Sequence, residues 1–245
     1  AIIGAGSAGL FALSQVRKKT DNYVLIDGGE LGTTCARVGC MPSKVLIQVA
    51  EDFHRRKIFE REGIEGADSL SVDVPEAMEH VQDLRDVFVD KVLGITDELD
   101  PERLLQGYAK FISEDKLEVD GEEIHARKII IATGTSPIIP TAWQEFAENI
   151  ITTDELFELE DLPASMAVIG LGSIGLELGQ ALSRLGVDIT GVDQMETVAK
   201  LADSVVSDLA IDTIKKEFPL WLGAMANLEA EGDAIKVSSA WFLCS

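Results

Sequence analysis

The chain opens Ala1-Ile2-Ile3-Gly4-Ala5-Gly6-Ser7-Ala8-Gly9, and this stretch decides the fold. The apolar residues before Gly4 read as the end of a buried strand. Leu10, Leu13 and Val16 have helical spacing, so a helix starts at once and runs to about Lys19. Gly4 permits the tight turn between them, Gly6 lets the backbone approach a pyrophosphate, and Gly9 lets the helix pack close on the strand. Tyr23–Ile26 is the next strand, ending at Asp27, whose carboxylate can take both hydroxyls of an adenosine ribose.

The same pattern returns later in the chain. Laying residue n on residue n+166 aligns Ala1-Ile2-Ile3-Gly4 with Ala167-Val168-Ile169-Gly170, Gly6 with Gly172, Gly9 with Gly175 and Asp27 with Asp193. The first glycine and the acid are 23 residues apart in both copies. One glycine motif is weak because glycine is common. Two, each with a strand before, a helix after and an acid at the same offset, imply two bound dinucleotides. Gln194-Met195 follow Asp193 with no arginine for a ribose 2′-phosphate, which favours NAD over NADP at the second copy.

Between the copies stands Cys35-Ala36-Arg37-Val38-Gly39-Cys40-Met41-Pro42-Ser43-Lys44. Five residues of helix rise about 7.5 Å, and a disulfide needs Cα atoms closer than about 7 Å. If Cys35 and Cys40 pair, the segment between them is therefore looped or distorted. Gly39 supplies backbone freedom, and Pro42 suits the first turn of a helix starting just after Cys40. A thiolate at a helix N-terminus is stabilised, so a lowered thiol pKa is expected there, as in a redox dithiol. Two small buried cysteines are the plain alternative.

The rest of the chain reads as mixed α and β structure. Helices are expected over Val45 to about Lys57, Pro75 to Leu99 (with Ala77, Val81, Leu84, Phe88, Val92 and Ile95 on one stripe), from Thr152-Thr153-Asp154, and over Ser204 to about Glu217. Strands are expected at Tyr108–Ile112, Lys116–Val119, Ala224–Ala230 and Ala234–Ser238, with a turn at Glu231-Gly232-Asp233. Lys128–Ala132 reads as a buried strand closed by Thr133-Gly134. The ending Trp241-Phe242-Leu243-Cys244-Ser245 is unlike a domain terminus and predicts an interrupted chain with exposed apolar residues and unpaired strand edges.

The 245 residues are 46% hydrophobic, enough for one large or two ordinary cores. Against 21 Lys and Arg stand 43 Asp and Glu, a formal charge of -22, which disfavours nucleic acid and anionic membrane as partners. No apolar run is long enough to span a bilayer and no basic leader opens the chain. Three cysteines, an odd number, argue against a secreted disulfide framework and for a reducing compartment, so the expected location is cytoplasmic. His54, His80 and His125 have no ligand-spaced partners, and no metal site is expected.

Two nucleotide folds with a C-x4-C between them resemble the pyridine nucleotide-disulfide oxidoreductases. The run Gly32-Thr33-Thr34-Cys35-Ala36-Arg37-Val38-Gly39-Cys40-Met41-Pro42-Ser43-Lys44 is most similar to the dihydrolipoamide dehydrogenases. The resemblance implies an α/β fold with two Rossmann-like domains. Residues 1–152 would bind FAD and carry the redox disulfide, and residues 153–245 would form an incomplete NAD domain. By the same resemblance Gly4, Gly6, Gly9, Asp27 and the Ala132-Thr133-Gly134 run hold FAD, while Gly170, Gly172, Gly175 and Asp193 hold NAD. Cys35 would be the interchange thiol, Cys40 the thiol on the flavin, Lys44 the lysine beside flavin N5 and Glu177 its carboxylate partner. Read alone, Lys44 and Glu177 are ordinary helical surface charges.

The resemblance further implies electron transfer between a small dithiol or lipoyl domain, the cysteine pair, FAD and NAD, with a homodimer for the complete chain. Reduction of mercuric ion or of another disulfide on the same core is an alternative. A noncatalytic nucleotide-binding fragment is another. Three departures stand out: Thr33 in place of a second glycine, Ser173 where some relatives carry an aromatic gate, and the absence of the family's dimer-forming half with its His-Glu base. That absence predicts a chain inactive by itself.

Overall fold

The computed structural model describes residues 1–232, 234–239 and 242–244. The expected turn residue Asp233, the tail residues Trp241 and Ser245, and the side chains of Phe242, Leu243 and Cys244 lie outside the described residues. In chain order the helices are α1 (Ser7–Val16), α2 (Thr34–Arg37), α3 (Cys40–His54), α4 (Arg56–Phe59), α5 (Val74–Asp97), α6 (Thr153–Leu156), α7 (Ser173–Arg184) and α8 (Ser204–Ile214). The strands are β1 (Ile2–Ile3), β2 (Leu25–Asp27), β3 (Leu104–Gln106), β4 (Lys110–Ser113), β5 (Lys116–Val119), β6 (Glu122–His125), β7 (Ile130–Ile131), β8 (Ser165–Ile169), β9 (Asp188–Asp193), β10 (Leu220–Leu222), β11 (Asn227–Glu231), β12 (Ala234–Ser239) and β13 (Phe242–Cys244).

They form two compact units, Ala1–Pro42 with Gln82–Pro137, and Ser43–Val81 with Ile138–Ser245. The unit boundaries after Pro42 and Val81 fall inside α3 and α5, so the compact units are not contiguous in sequence.

The first unit holds a parallel sheet ordered β3-β2-β1-β7, with Ile2 opposite Leu25 and Ile130. Ile2, Leu25, Leu10 and Leu13 share one buried cluster, which is why α1 lies on this sheet. An antiparallel meander, β4-β5-β6, packs Leu117 and Val119 against Ile3 and Ile26. The expectation of a buried strand at Lys128–Ala132 is corrected: β7 has two residues and sits at the sheet edge, and Ile131 is 65% exposed. Its apolar run looked central because an edge strand paired on one side has the same local pattern.

The second unit repeats the parallel design as β10-β9-β8, with Val168 opposite Gly191. Its core joins Leu46 and Ala50 of α3, Met78 and Val81 of α5, and Leu178 and Leu182 of α7, together with Phe157 and Phe218. Leu46 is fully buried, so Leu46→Ala would cost about 2–5 kcal/mol. Thr152 starts α6 with a reciprocal capping box, its backbone N–H donating to Glu155 at 2.7 Å. Strands β11, β12 and β13 form a separate antiparallel sheet.

A polar cluster ties this unit together. Arg184 donates to both carboxylate oxygens of Glu217 at 2.7 and 3.2 Å and also to Glu51, while Gln180 donates to Glu217 at 3.0 Å. The Glu217 side chain is 16% exposed, and the guanidinium beside it holds its carboxyl below the usual carboxylate range. A depressed carboxyl contributes stability that is fully present above its unfolded pKa and is lost as pH falls through the folded one. Denaturation of the wild type between about pH 5 and 3 should therefore lose a contribution that Glu217→Gln lacks already. Urea midpoints measured across that range check it: the variant should be less stable at pH 7 and show a flatter acid limb.

Candidate functional site

Each parallel sheet presents its glycine turn at the carboxyl end of its first strand. Gly4 and Gly170 have φ of +104° and +100°, a region that side chains avoid. A Cβ on Gly9 would lie 1.7 Å from the Gly4 carbonyl oxygen, and one on Gly175 would lie 2.0 Å from that of Gly170. The helix therefore sits directly on the turn in both copies. A Cβ on Gly6 or Gly172 would meet nothing within 4 Å. Those residues start α1 and α7 with no side-chain cap, so the exposed first-turn N–H groups form an anion cradle. Both turns fit the pyrophosphate of a dinucleotide.

The acids act on the turns as well. Asp27 accepts hydrogen bonds from the backbone N–H groups of Ala5 and Gly29, and Asp193 from those of Leu171 and Met195. These partners are again related by the 166-residue offset. Each carboxylate has about four acceptor positions, so sites remain for ribose hydroxyls. The copies differ at their flanks. A Cβ on Gly4 would be 2.2 Å from the Ala132 carbonyl oxygen and 3.1 Å from the Thr133 nitrogen, so the Ala132-Thr133-Gly134 run lies against the first turn, whereas one on Gly170 would meet nothing within 4 Å.

The dithiol is built by a fold-back between two helices. Thr33 caps α2, its hydroxyl accepting from the Ala36 N–H at 3.2 Å. The helix ends at Arg37 with Val38 as its C-cap, and α3 starts at Cys40 with Pro42 in its first turn. A Cβ on Gly39 would lie 2.8 Å from the Thr34 carbonyl oxygen and 3.3 Å from the Cys35 Cα. Gly39 is thus required for close approach; its φ is not positive, which corrects the expectation of backbone freedom. Thr33 has φ 66° and is buried. A β-branched residue there is strained by about 1–3 kcal/mol, and its burial and cap bond hold it in place.

Cys35 is half-buried and Cys40 is exposed. Cys35 lies within hydrogen-bonding reach of the Cys40 thiol, and its own thiol is pushed up from the ordinary value, first by burial and then by that neighbour. The Cys40 backbone N–H, at the helix start, pulls the other way with less effect. The expected lowering is therefore overturned for Cys35, because desolvation outweighs the helix terminus. Cys35 lines a cavity of about 320 Å³ with Leu10, Met41, Phe88, Lys91 and Val92.

In the second unit, Lys44 Nζ lies 2.6 Å from Glu177 Oε2. Lys44 is one turn after Cys40 on α3, and Glu177 is in α7 shortly after Gly172. Both side chains are about half exposed, where an ion pair contributes about 0–1 kcal/mol. Stability does not require the pair. The residue equivalent to Glu177 in the first copy is Phe11, 69% exposed, so the nucleotide fold does not require the acid either.

The model of the pyridine nucleotide-disulphide oxidoreductase family matches residues 1–239. The chain belongs to this family. A mercuric reductase from Bacillus cereus is 31% identical over 239 residues, covering 96% of this chain and 38% of its own. A dihydrolipoyl dehydrogenase from Thermus scotoductus is 31% identical over 220 residues, covering 88% of this chain and 46% of its own. The chain thus spans less than half the length of these curated relatives. The HOCl-induced flavoprotein disulfide reductase RclA from Escherichia coli shares the fold, with a TM-score of 0.80 at 22% identity over 99% of this chain and 53% of that one.

As a member of this family the chain carries an α/β fold with two parallel nucleotide-type sheets, as expected. The cavity wall on α5 escaped sequence reading: Phe88 and Val92 have the spacing of a packing stripe, and Lys91 carries no distinguishing signal. Glu51, Arg184 and Glu217 were also missed, because only the folded chain brings them together. Among the described residues, no group of three or more His, Cys, Asp or Glu is placed to hold a metal ion, and no helix is long and apolar enough to cross a membrane.

The upward shift of Cys35 is open to measurement in the flavin-free, reduced protein. Peptide-resolved alkylation of Cys35 against pH should have its midpoint above the ordinary thiol value of about 8.5 and return to it in urea. A midpoint below that value in the folded protein would contradict the burial argument.

Proposed function

We propose that this chain is the nucleotide-binding and dithiol portion of an FAD- and NAD-dependent disulfide oxidoreductase acting on dihydrolipoamide or a lipoyl domain. The observation that carries the proposal is the fold-back that brings Cys35 and Cys40 together within the unit that holds the first glycine turn. In this reading residues 1–152 bind FAD through Gly4, Gly6, Gly9, Asp27, Thr133 and Gly134. Residues 153–245 bind NAD through Gly170, Gly172, Gly175 and Asp193. When bound, the flavin would supply a carrier that passes two electrons between the dithiol pair and a pyridine nucleotide.

The residues of the chain perform the sulfur chemistry. With Cys35 and Cys40 oxidised to a disulfide, one thiolate of the substrate attacks the Cys35 sulfur; the S–S bond breaks and Cys40 leaves as a thiolate. The second substrate thiolate attacks the substrate sulfur bound to Cys35, closing the substrate disulfide and releasing Cys35 as a thiolate. Two electrons then reside in the pair. The two protons released by the substrate need a base; the family resemblance places that base on a partner subunit's domain outside these residues. The complete protein would be a cytoplasmic homodimer, and this chain by itself would not turn over lipoamide. The apolar cavity wall beside Cys35 suits a small apolar dithiol. Lys44 and Glu177 act as a charge pair one turn beyond Cys40.

The similarity to a mercuric reductase over 96% of the chain supports a second reading, in which the thiol pair binds Hg(II) as substrate for reduction. The experiment is one comparison. The complete protein and this chain are saturated with FAD and reduced with NADH, then assayed with lipoamide and with Hg(II), beside the Cys35→Ser and Cys40→Ser variants. The complete protein should turn over lipoamide, and this chain should not. Cys40→Ser should lose the long-wavelength thiolate-flavin band while Cys35→Ser keeps it. Turnover with Hg(II) alone favours the second reading, and an unchanged spectrum in Cys40→Ser would make the cysteines structural.

A further inference from the structure

Lys44 of α3 pairs with Glu177 of α7, and Glu51 of α3 pairs with Arg184 of α7; both pairs join residues 133 apart in sequence. Residues seven apart share a helix face, so the pairs are two rungs between helices running in the same sense. Their polarity is reversed: lysine then glutamate on α3, glutamate then arginine on α7. A two-turn slip would set Lys44 against Arg184 in one direction, or Glu51 against Glu177 in the other, in either case like charge against like.

The rungs differ in rigidity. Lys44 and Glu177 are half-exposed single contacts. Arg184 is 14% exposed and is held by both oxygens of Glu217 as well as by Glu51. Ser183 donates to the Glu217 carbonyl at 3.0 Å, and Gln180 donates to its carboxylate. A planar guanidinium gripped on one edge by a carboxylate is a fixed donor. The orientation of the distal rung is therefore set from α7 and Glu217, and Glu51 is the group that carries that orientation to α3. Between the rungs Leu46, Ala50, Leu178 and Leu182 fill one core, but apolar packing alone specifies register less strictly than paired charges.

We propose that Glu51, Arg184 and Glu217 form a positioning network that holds α3 in register with α7, so that Lys44 meets Glu177. Through α3 it sets the geometry one turn beyond Cys40. The inference rests on the reading of Lys44 and Glu177 as functional, and it adds Glu51 as a positioning residue.

Glu51→Gln separates positioning from plain stability, because it leaves the Arg184 to Glu217 grip in place. The FAD-loaded full-length protein is compared as wild type, Glu51→Gln, Glu177→Gln and the double variant, with flavin reduction by NADH, the thiolate-flavin band and the thermal midpoint as readouts. Glu51→Gln should slow flavin reduction roughly three- to tenfold and weaken the band, with a midpoint shift of no more than about 2–4 °C. Glu51→Asp should recover most of the rate, and the double variant should be no slower than Glu177→Gln. Wild-type rate and band in Glu51→Gln, or effects of the two single variants that multiply in the double, would overturn the proposal. A wild type without the band overturns the reading of the site itself, and the proposal with it.

Discussion

In each nucleotide fold a helix lies directly on the turn before it. With a Cβ excluded at Gly9 by the Gly4 carbonyl, and at Gly175 by that of Gly170, α1 and α7 rest on their strands with no side chain between. Everything at the mouth of each sheet follows from that contact. It sets the helix N-terminus beside the strand end, and the acid at the end of the second strand then closes the turn by accepting backbone N–H groups, Asp27 in one copy and Asp193 in the other. Gly6 and Gly172 stay open in front of the uncapped first turns. One constraint thus accounts for the helix position and for the anion cradle, and its repetition at a fixed sequence offset makes coincidence a poor explanation.

A second close approach builds the dithiol. Gly39 lets the chain fold back on Thr34 and Cys35, α3 restarts at Cys40, and two residues too far apart on a continuous helix become neighbours. The strained Thr33 keeps α2 in place through a buried cap. The same enclosure that aligns the thiols desolvates Cys35 and raises its pKa, so in the flavin-free protein it is a guarded thiol; a bound positive or polarised group, or a base, is what would draw the proton away. Helix α3 then carries this geometry onward, with Lys44 one turn beyond Cys40 and Glu51 two turns beyond Lys44.

The parts of the fold that were legible in the sequence are those fixed locally. Both βαβ units show in glycine spacing and apolar period, the start of α6 shows in Thr152-Thr153-Asp154, and the cysteine break follows from helix rise once the two cysteines are taken as a pair. What was not legible depends on partners distant in sequence. Strand β10, Leu220–Leu222, has three residues and is defined by pairing with β9. Strand β6 is Glu122–His125, mostly polar, and is formed by its register with β5. Ile130 and Ile131 look buried by composition and lie at an edge. The balance of forces on Cys35 was misjudged because a sequence shows the helix terminus but not the burial. The ion-pair ladder could be read only once two helices 133 residues apart were aligned.

The central claim is that the two glycine turns are separate sites, the first for flavin and the second for pyridine nucleotide. Since a Cβ at Gly6 or Gly172 meets no protein atom, alanine at either position should leave the fold intact and act on the ligand alone. The measurement is FAD stoichiometry and NADH affinity of the full-length protein carrying Gly6→Ala or Gly172→Ala. The account predicts loss of FAD in Gly6→Ala, and in Gly172→Ala retained FAD with NADH bound at least about tenfold more weakly. Retention of FAD by Gly6→Ala together with its loss from Gly172→Ala would contradict it.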